Sequence, residues 1–536
     1  MQYYKLILGA EERKHVMKKF SAYILGLLIL VLVTFNVKSS LITTLSNIDP
    51  APMYNSAYPY MYLYAKEKEF LKNKTECWSN EYISLSASPF WQRSTRGKNI
   101  NRKLSENGDL TGHWNMIATL PYNNPPPPAF PGNNMNEGSD IPIGTTTGSQ
   151  PLATLMGVRQ KLFDCISTIS GRLPDQVKTV TGLISLQTPE QLFGFFSVPI
   201  KYNKRGVRFS SSVMLWGGFG ISMQTGVADI SQIGRFIDLT TTPTACLPKG
   251  CLSFGGTNPC PTTTNPPIYC QNPFSDMNQL TDAAWQDVLH CTHLQLMNQL
   301  QAIADASGLD LCNFNRTSVE DFHIELFWRK ALRVDDGDFC TSPFLFIPFF
   351  SIGGDIGIAA KKNQNQVFSI PFGNNGHNDV RFNAGFTFDF DETIEVGGHC
   401  GVTHFFDKRH NGYRMPVNEF QNGLYPYTTD VCVSPGNTWH IGILMNAYHF
   451  LGCLSFYSEY LYVSHAEDKF CIINSDPAFK PSNLECKSPW MVQLLNNGFY
   501  YDVSSNFSLG FSLQIPLDRR NAYKSTTYML SMEMVY

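Results

Sequence analysis

Charge is scarce in this chain. Only 16% of its 536 residues are Asp, Glu, Lys or Arg, and the formal net charge is −3. That balance offers no basic surface of the kind a nucleic-acid partner needs. Beyond about residue 35 no apolar run reaches the roughly 20 residues a membrane-crossing helix requires. A chain of this kind that enters a membrane must therefore cross it with strands. Catalytic motifs are missing as well: there is no Walker-type phosphate loop and no GxSxG elbow. The acidic stretches at 335–338 and 389–392 lack the EF-hand spacing and are expected to be solvated turns. Tight CxxC pairs are also absent, since four, eight and nine residues separate Cys246, Cys251, Cys260 and Cys270. A zinc site does not favour such gaps.

Aromatic residues, at 13%, are abundant, as are glycine (40) and proline (32). That composition leans toward strands and loops. The N-terminal stretch carries Lys18 and Lys19, an apolar run from Tyr23 to Phe35, and then small residues. It predicts a signal peptide over residues 1–39, with Met17 as the economical start and cleavage after Ser39 or Ser40. Export to an oxidising exterior favours loop disulfides among Cys246, Cys251, Cys260, Cys270, Cys471 and Cys486, with connectivity left open.

Side chains alternate along many segments. In 507–516, Phe507, Leu509, Phe511, Leu513 and Ile515 alternate with Ser508, Gly510, Ser512, Gln514 and Pro516. In 380–390, Val380, Phe382, Ala384, Phe386, Phe388 and Phe390 alternate with Arg381, Asn383, Gly385, Thr387 and Asp389. Successive side chains of a strand point to opposite faces, so each segment has one long apolar face and one polar face. The last twelve residues do the same, placing Tyr528, Leu530, Met532, Met534 and Tyr536 on one side.

Twelve strands are predicted, near 80–92, 191–202, 207–228, 320–334, 345–358, 379–390, 394–406, 438–449, 451–464, 488–503, 506–516 and 525–536. The stretch 203–206 (NKRG) serves as one of the tight turns. If the WGGFG at 216–220 is itself a turn, fourteen strands become the alternative. Short turns then alternate with long connections, the largest at 93–190 and 230–319. Each of these two carries a segment with helical spacing. Residues 40–79 form a periplasmic N-terminal segment, and the barrel occupies 80–536.

The leader, the alternating strands, the short-turn and long-loop rhythm and the aromatic ending together resemble a Gram-negative outer-membrane β-barrel of the porin-like type. The resemblance implies an all-β, closed antiparallel transmembrane barrel in contact with outer-membrane lipid, with long extracellular loops. It also implies that Tyr528, Leu530, Met532, Met534 and Tyr536 form the signal read by the barrel-assembly machinery.

Candidate sites are few. His399 and His404 have opposite parity on one predicted strand, which argues against joint metal ligation. His290, Cys291 and His293 fall in a predicted loop helix. No cofactor is implied. The polar faces of the clearest strands place Arg381, Asn383, Thr387, Asp389, Glu395, His399, Ser508, Ser512 and Gln514 toward a lumen. Charges facing a confined passage select solutes by sign and hydrogen bonding. The function expected is passive passage of small polar solutes, narrowed or plugged by the large loops. An adhesion barrel that presents stapled loops to a host or neighbouring cell is the alternative, and an outer-membrane enzyme ranks last.

Overall fold

In a computed structural model of the chain, the described residues are 82–99, 101–115, 195–215, 218–238, 304, 308–333, 344–390, 393–417, 421–425, 427–473, 479–504 and 506–536. Twelve antiparallel strands form one closed wall. They are β1 (Tyr82–Ser94), β2 (Ile200–Met214), β3 (Phe219–Gly234), β4 (Phe314–Val319 continuing as Phe322–Arg329), β5 (Phe344–Ile356) and β6 (Asp379–Phe390). The second half is β7 (Ile394–Phe405), β8 (Thr438–Leu451), β9 (Leu454–His465), β10 (Trp490–Ser504), β11 (Phe507–Arg520) and β12 (Thr526–Val535). Each pairs with its neighbours in sequence, and β12 returns to β1 with Ser84 opposite Val535 and Arg93 opposite Thr526. Closure leaves no edge strand whose backbone groups would need a partner inside a membrane.

Alternation explains the wall. Along β12, Tyr528, Leu530, Met532, Met534 and Tyr536 are exposed while Thr527, Glu533 and Val535 are buried. Phe382, Phe386, Trp439, Ile441, Phe499, Leu509 and Phe511 are exposed in the same way on other strands. Large apolar groups thus face outward and polar groups inward, the reverse of a soluble barrel. Aromatic pairs mark the outer surface: Trp91 stacks on Tyr528 at 5.8 Å, and Phe344 on Phe388 at 5.7 Å.

One boundary differs from the sequence reading. Residues 203–206 are not a turn but lie within β2, which runs from 200 to 214. β2 ends at Met214 and β3 begins at Phe219; Gly218 has φ +88°, and the Leu215 N–H donates to the Phe219 carbonyl at 2.7 Å. Lys204 and Arg208 look turn-like locally, but both are directed at Glu320 inside the wall. The count stays at twelve because the break expected at 203–206 is absent and one falls between Met214 and Phe219 instead, leaving two strands here. Phe314–Val319 and Phe322–Arg329 act as a single strand between β3 and β5.

The end that holds Tyr536 carries mostly short connections, the longest being 330–343, and the other carries the long ones together with the short link 521–525. At the long-connection end, inward residues Tyr202, Ala228 and Ile230 pack with Trp114, Phe196, Phe368, Ile370 and Phe372 from the connections. Burying a side chain of this size contributes about 1.5–3 kcal/mol. Asp109 pins the cluster by accepting from the Val198 N–H at 2.8 Å and from the Ser197 hydroxyl. The stretch 368–380 (FSIPFGNNGHNDV), without a role in the sequence reading, supplies three of these side chains at alternate positions. A second cluster of Tyr413, Met415, Tyr427, Val431, Val433 and Phe470 backs a three-stranded sheet of Lys408–Arg414, Thr428–Ser434 and Lys469–Ile472.

The leader 1–39, the segment 40–79, both helical segments in the two largest connections, the acidic stretch 335–338 and Cys246, Cys251, Cys260 and Cys270 lie outside the described residues. Cys471 and Cys486 are not joined to each other. Asp389, expected both in the acidic stretch 389–392 as a solvated turn and on the polar face of its strand, is buried on the inner face, not in a turn. It is part of β6, and strand alternation turns it inward.

Candidate functional site: the polar interior of the barrel

The inner face has two unlike walls. One, from β4 to β10, carries charged and bulky polar groups. The other, from β11 through β12 and β1 to β3, is rich in serine (Ser84, Ser86, Ser88, Ser210, Ser212, Ser222, Ser508 and Ser512) and also carries Gln92, Lys204, Arg208, Gln514 and Glu533.

The charged groups are knitted into local networks. Glu320 receives Lys204 at 2.9 Å and a two-pronged Arg208 guanidinium at 2.6 and 3.0 Å. Such forked pairing is the strong geometry for Arg and carboxylate. Farther round, Asp355 takes His323 at 2.6 Å and Arg381 at 3.2 Å. Asn383 donates to Glu325 at 3.1 Å and to Ser351 at 3.2 Å.

The third network is built on a missing side chain. His399 Nε2 lies 2.8 Å from Glu459, which also accepts from Tyr457 and Asn496 at 2.7 Å each. Gln514 extends the chain by donating to Asn496 at 2.9 Å. Gly442 stands opposite His399 in the β7–β8 register, and a Cβ there would come within 2.0 Å of Nε2. Only glycine leaves room for the ring. Nearer the short turns, Asn446 donates to Glu395 at 3.3 Å, the Tyr448 hydroxyl donates to the same carboxylate, and Asp389 faces Glu395 across the β6–β7 pair.

The serine wall is held by smaller contacts. Ser84 meets Ser212 at 3.3 Å, and Ser86 meets Ser210 at 2.5 Å. Above them Gln92 donates to Thr527 at 3.1 Å and accepts from Tyr202 at 2.9 Å.

The structure therefore distributes the nine residues singled out from sequence. Arg381 and Asn383 join the networks around Asp355 and Glu325, and His399 and Gln514 that around Glu459. Asp389 and Glu395 lie side by side, Thr387 is buried next to Gly397, and Ser508 and Ser512 belong to the opposite wall. His404 points outward to Asn437 at 2.8 Å, away from His399. Sequence reading missed Lys204, Arg208, Glu320, His323, Glu325, Asp355 and Glu459. For Glu459 a signal existed, since Ser455, Tyr457 and Glu459 share one parity on β9.

Outside the wall, at the long-connection end, His410 Nε2 lies 3.3 Å from His377 Nε2, and the His377 Nδ1–H donates to the Phe406 carbonyl at 2.9 Å. Burial, with His377, Lys361 and Lys408 close by, pushes the His410 pKa down to about 4. His377 is lowered as well, chiefly by burial.

A closed antiparallel wall, apolar outside and polar inside, with short turns at one end and long connections at the other, defines a membrane-spanning β-barrel of the outer-membrane type. No protein-family model matches the sequence, and no curated protein matches it. Among solved structures, an outer membrane channel from Pseudomonas putida F1 is similar, with 8% identity and a TM-score of 0.37, over 85% of this chain and 96% of that one. The NanC porin has 8% identity and a TM-score of 0.26, over 62% and 93%. A Pseudomonas aeruginosa FadL homologue has 8% identity and a TM-score of 0.26, over 86% and 91%. Likeness at this level carries no argument by itself; the assignment rests on the strand pairings and the outward apolar face.

Proposed function

We propose that the barrel is a passive outer-membrane channel for small polar solutes, which pass along the serine wall and are narrowed at the long-connection end by the packed connections. The role is transport rather than catalysis. The observation that carries the reading is the two-sided interior. Bulky charged groups are drawn into networks with one another, while the short hydroxyl side chains of the serine-rich strands leave room and offer donors and acceptors to a polar solute. The aromatic cluster around Trp114, Phe196 and Phe372 is the narrowing element in this reading. We also assign to the exposed face of β12, from Tyr528 to Tyr536, the role of recognition by the barrel-assembly machinery.

Reconstitution in planar bilayers tests the channel. Folded protein is expected to give discrete conductance steps. In Ser86→Cys and Ser210→Cys variants, a bulky charged methanethiosulfonate reagent is expected to reduce step size, with the unsubstituted protein as control for native thiols. Folded protein without conductance, or variants indifferent to the reagent, would overturn passage along this wall. Silence in bilayers would favour a surface-interaction role, for which the outer three-stranded sheet with its own hydrophobic backing is the feature in support.

A further inference from the structure

Cys432 and Cys471 stand directly opposite one another where Thr428–Ser434 pairs antiparallel with Lys469–Ile472. Their neighbours Val431, Val433 and Phe470 point the other way, into the hydrophobic backing of the sheet. Both thiols therefore share the sheet's other face, Cys471 exposed and Cys432 half-buried. Ile473 donates its N–H to the Asp430 carbonyl at 3.0 Å. Pairs two steps apart on an antiparallel ladder repeat the same hydrogen-bonding type, so Cys432 and Cys471 form another hydrogen-bonded pair. The Cα atoms of such a pair stand about 5.5 Å apart, which lies within the span a disulfide bridges. Cys486 is placed differently. It follows the short helix Ser482–Glu485, its sulfur is 3.7 Å from the Asn483 carbonyl, and it lies close to Tyr425, a member of the hydrophobic backing.

We propose that Cys432 and Cys471 are joined by a disulfide in the exported protein. Its formation needs an oxidant, here a protein or small-molecule disulfide RS–SR acting outside the cytoplasm. The Cys471 thiolate, being exposed, attacks one sulfur of RS–SR, forms a mixed disulfide and expels RS⁻. The Cys432 thiolate then attacks the Cys471 sulfur and expels the second RS⁻. Two protons leave the protein thiols and end on the two expelled groups, so the oxidant gains two electrons and becomes two RSH. Burial, with Asp407 and Cys471 adding, raises the Cys432 thiol pKa, consistent with its acting second. Between the two cysteines the chain descends β8, turns and climbs β9. The bridge thus ties together the long connections on either side of one hairpin and fixes the outer sheet above it.

The test uses outer membranes from cells harvested in N-ethylmaleimide, with the full-length protein digested without reduction and read by mass spectrometry. The expected product is a peptide pair linked through Cys432 and Cys471, neither carrying maleimide. Cys486→Ser should leave that linkage in place, and Cys432→Ser should make Cys471 reactive. Maleimide on both Cys432 and Cys471 of the unsubstituted protein, or a bridge from Cys471 to Cys486, would overturn the proposal. None of this depends on conduction: a linked protein that is silent in bilayers would sink the channel and leave the disulfide standing.

Discussion

The ammonium of Lys204 stands 2.9 Å from the carboxylate of Glu320, and the guanidinium of Arg208 grips the same carboxylate from the other side. Glu320 lies at the break between the two segments of β4, so this contact ties β2 to the most irregular strand of the wall. All three side chains are largely withdrawn from solvent. Removing one member of a buried ionic set costs more than the set contributes, because the remaining charge has no compensation.

Glu320→Gln leaves two cations facing each other and is expected to destabilise the barrel by about 3–5 kcal/mol. Lys204→Met keeps the Arg208–Glu320 fork and should cost less, about 1.5–3 kcal/mol, the range for a hydrogen bond to a charged group. Urea unfolding in lipid vesicles gives both values. The reverse order would show that Lys204, not Glu320, is the centre of the cluster.

The His377–His410 pair sets a pH dependence on the outer segments. With its folded pKa near 4 against about 6.5 when unfolded, His410 binds protons more readily in the open state. Where the unfolded state binds more protons, stability rises with pH. The outer segments should therefore be fully stable above about pH 6.5, lose stability as pH falls toward 4, and lose no more through this group below that. Hydrogen exchange across 408–434 measures it. His410→Gln is expected to flatten the slope in this window, and an unchanged slope would assign it to other groups.

Legibility in the sequence followed a simple physical division. Strands β6 through β11 could be read because membrane outside and polar inside impose alternation on every residue, and alternation is a local signal. The β2–β3 boundary could not. Asn203, Lys204, Arg205 and Gly206 have turn composition, and what keeps them in a strand is distant in sequence: they pair with 90–93 of β1 and 228–231 of β3, and Lys204 reaches Glu320. The interior networks hid for the same reason. Parity places His399 on the inner face, but nothing local pairs it with Glu459, 60 residues away, or shows that Gly442 vacates the space. The packing of Phe368, Ile370 and Phe372 against Trp114 and Phe196 likewise depends on contacts between distant connections.

Gly442 and His399 give a double-mutant cycle. A methyl group at Gly442 would overlap the imidazole and push it off Glu459. Gly442→Ala is expected to cost about 1–3 kcal/mol, as overpacking in a tight interior does. His399→Ala removes the ring and with it the clash, so the double variant should cost clearly less than the two single losses combined. The temperature at which the folded, fast-migrating gel band is lost ranks the three variants. Strict additivity would mean that the methyl group is accommodated without touching His399.

Tyr536 closes the wall at its last residue. Its N–H donates to the Ile83 carbonyl at 2.9 Å and its carbonyl accepts the Ile83 N–H at 3.1 Å, while its ring is exposed on the outer face. Two contributions can be separated here. Deleting Tyr536 removes the hydrogen bonds and the ring, Tyr536→Gly removes only the ring, and Tyr536→Phe keeps both. If the ring is what the assembly machinery recognises, deletion and Tyr536→Gly should both lower the fraction of folded protein in the outer membrane several-fold, with Tyr536→Phe normal. If backbone closure dominates, Tyr536→Gly should assemble like the unsubstituted protein and only the deletion should fail. Cell fractionation with heat-modifiable gel migration distinguishes them, and normal assembly of the deletion would remove Tyr536 from both roles.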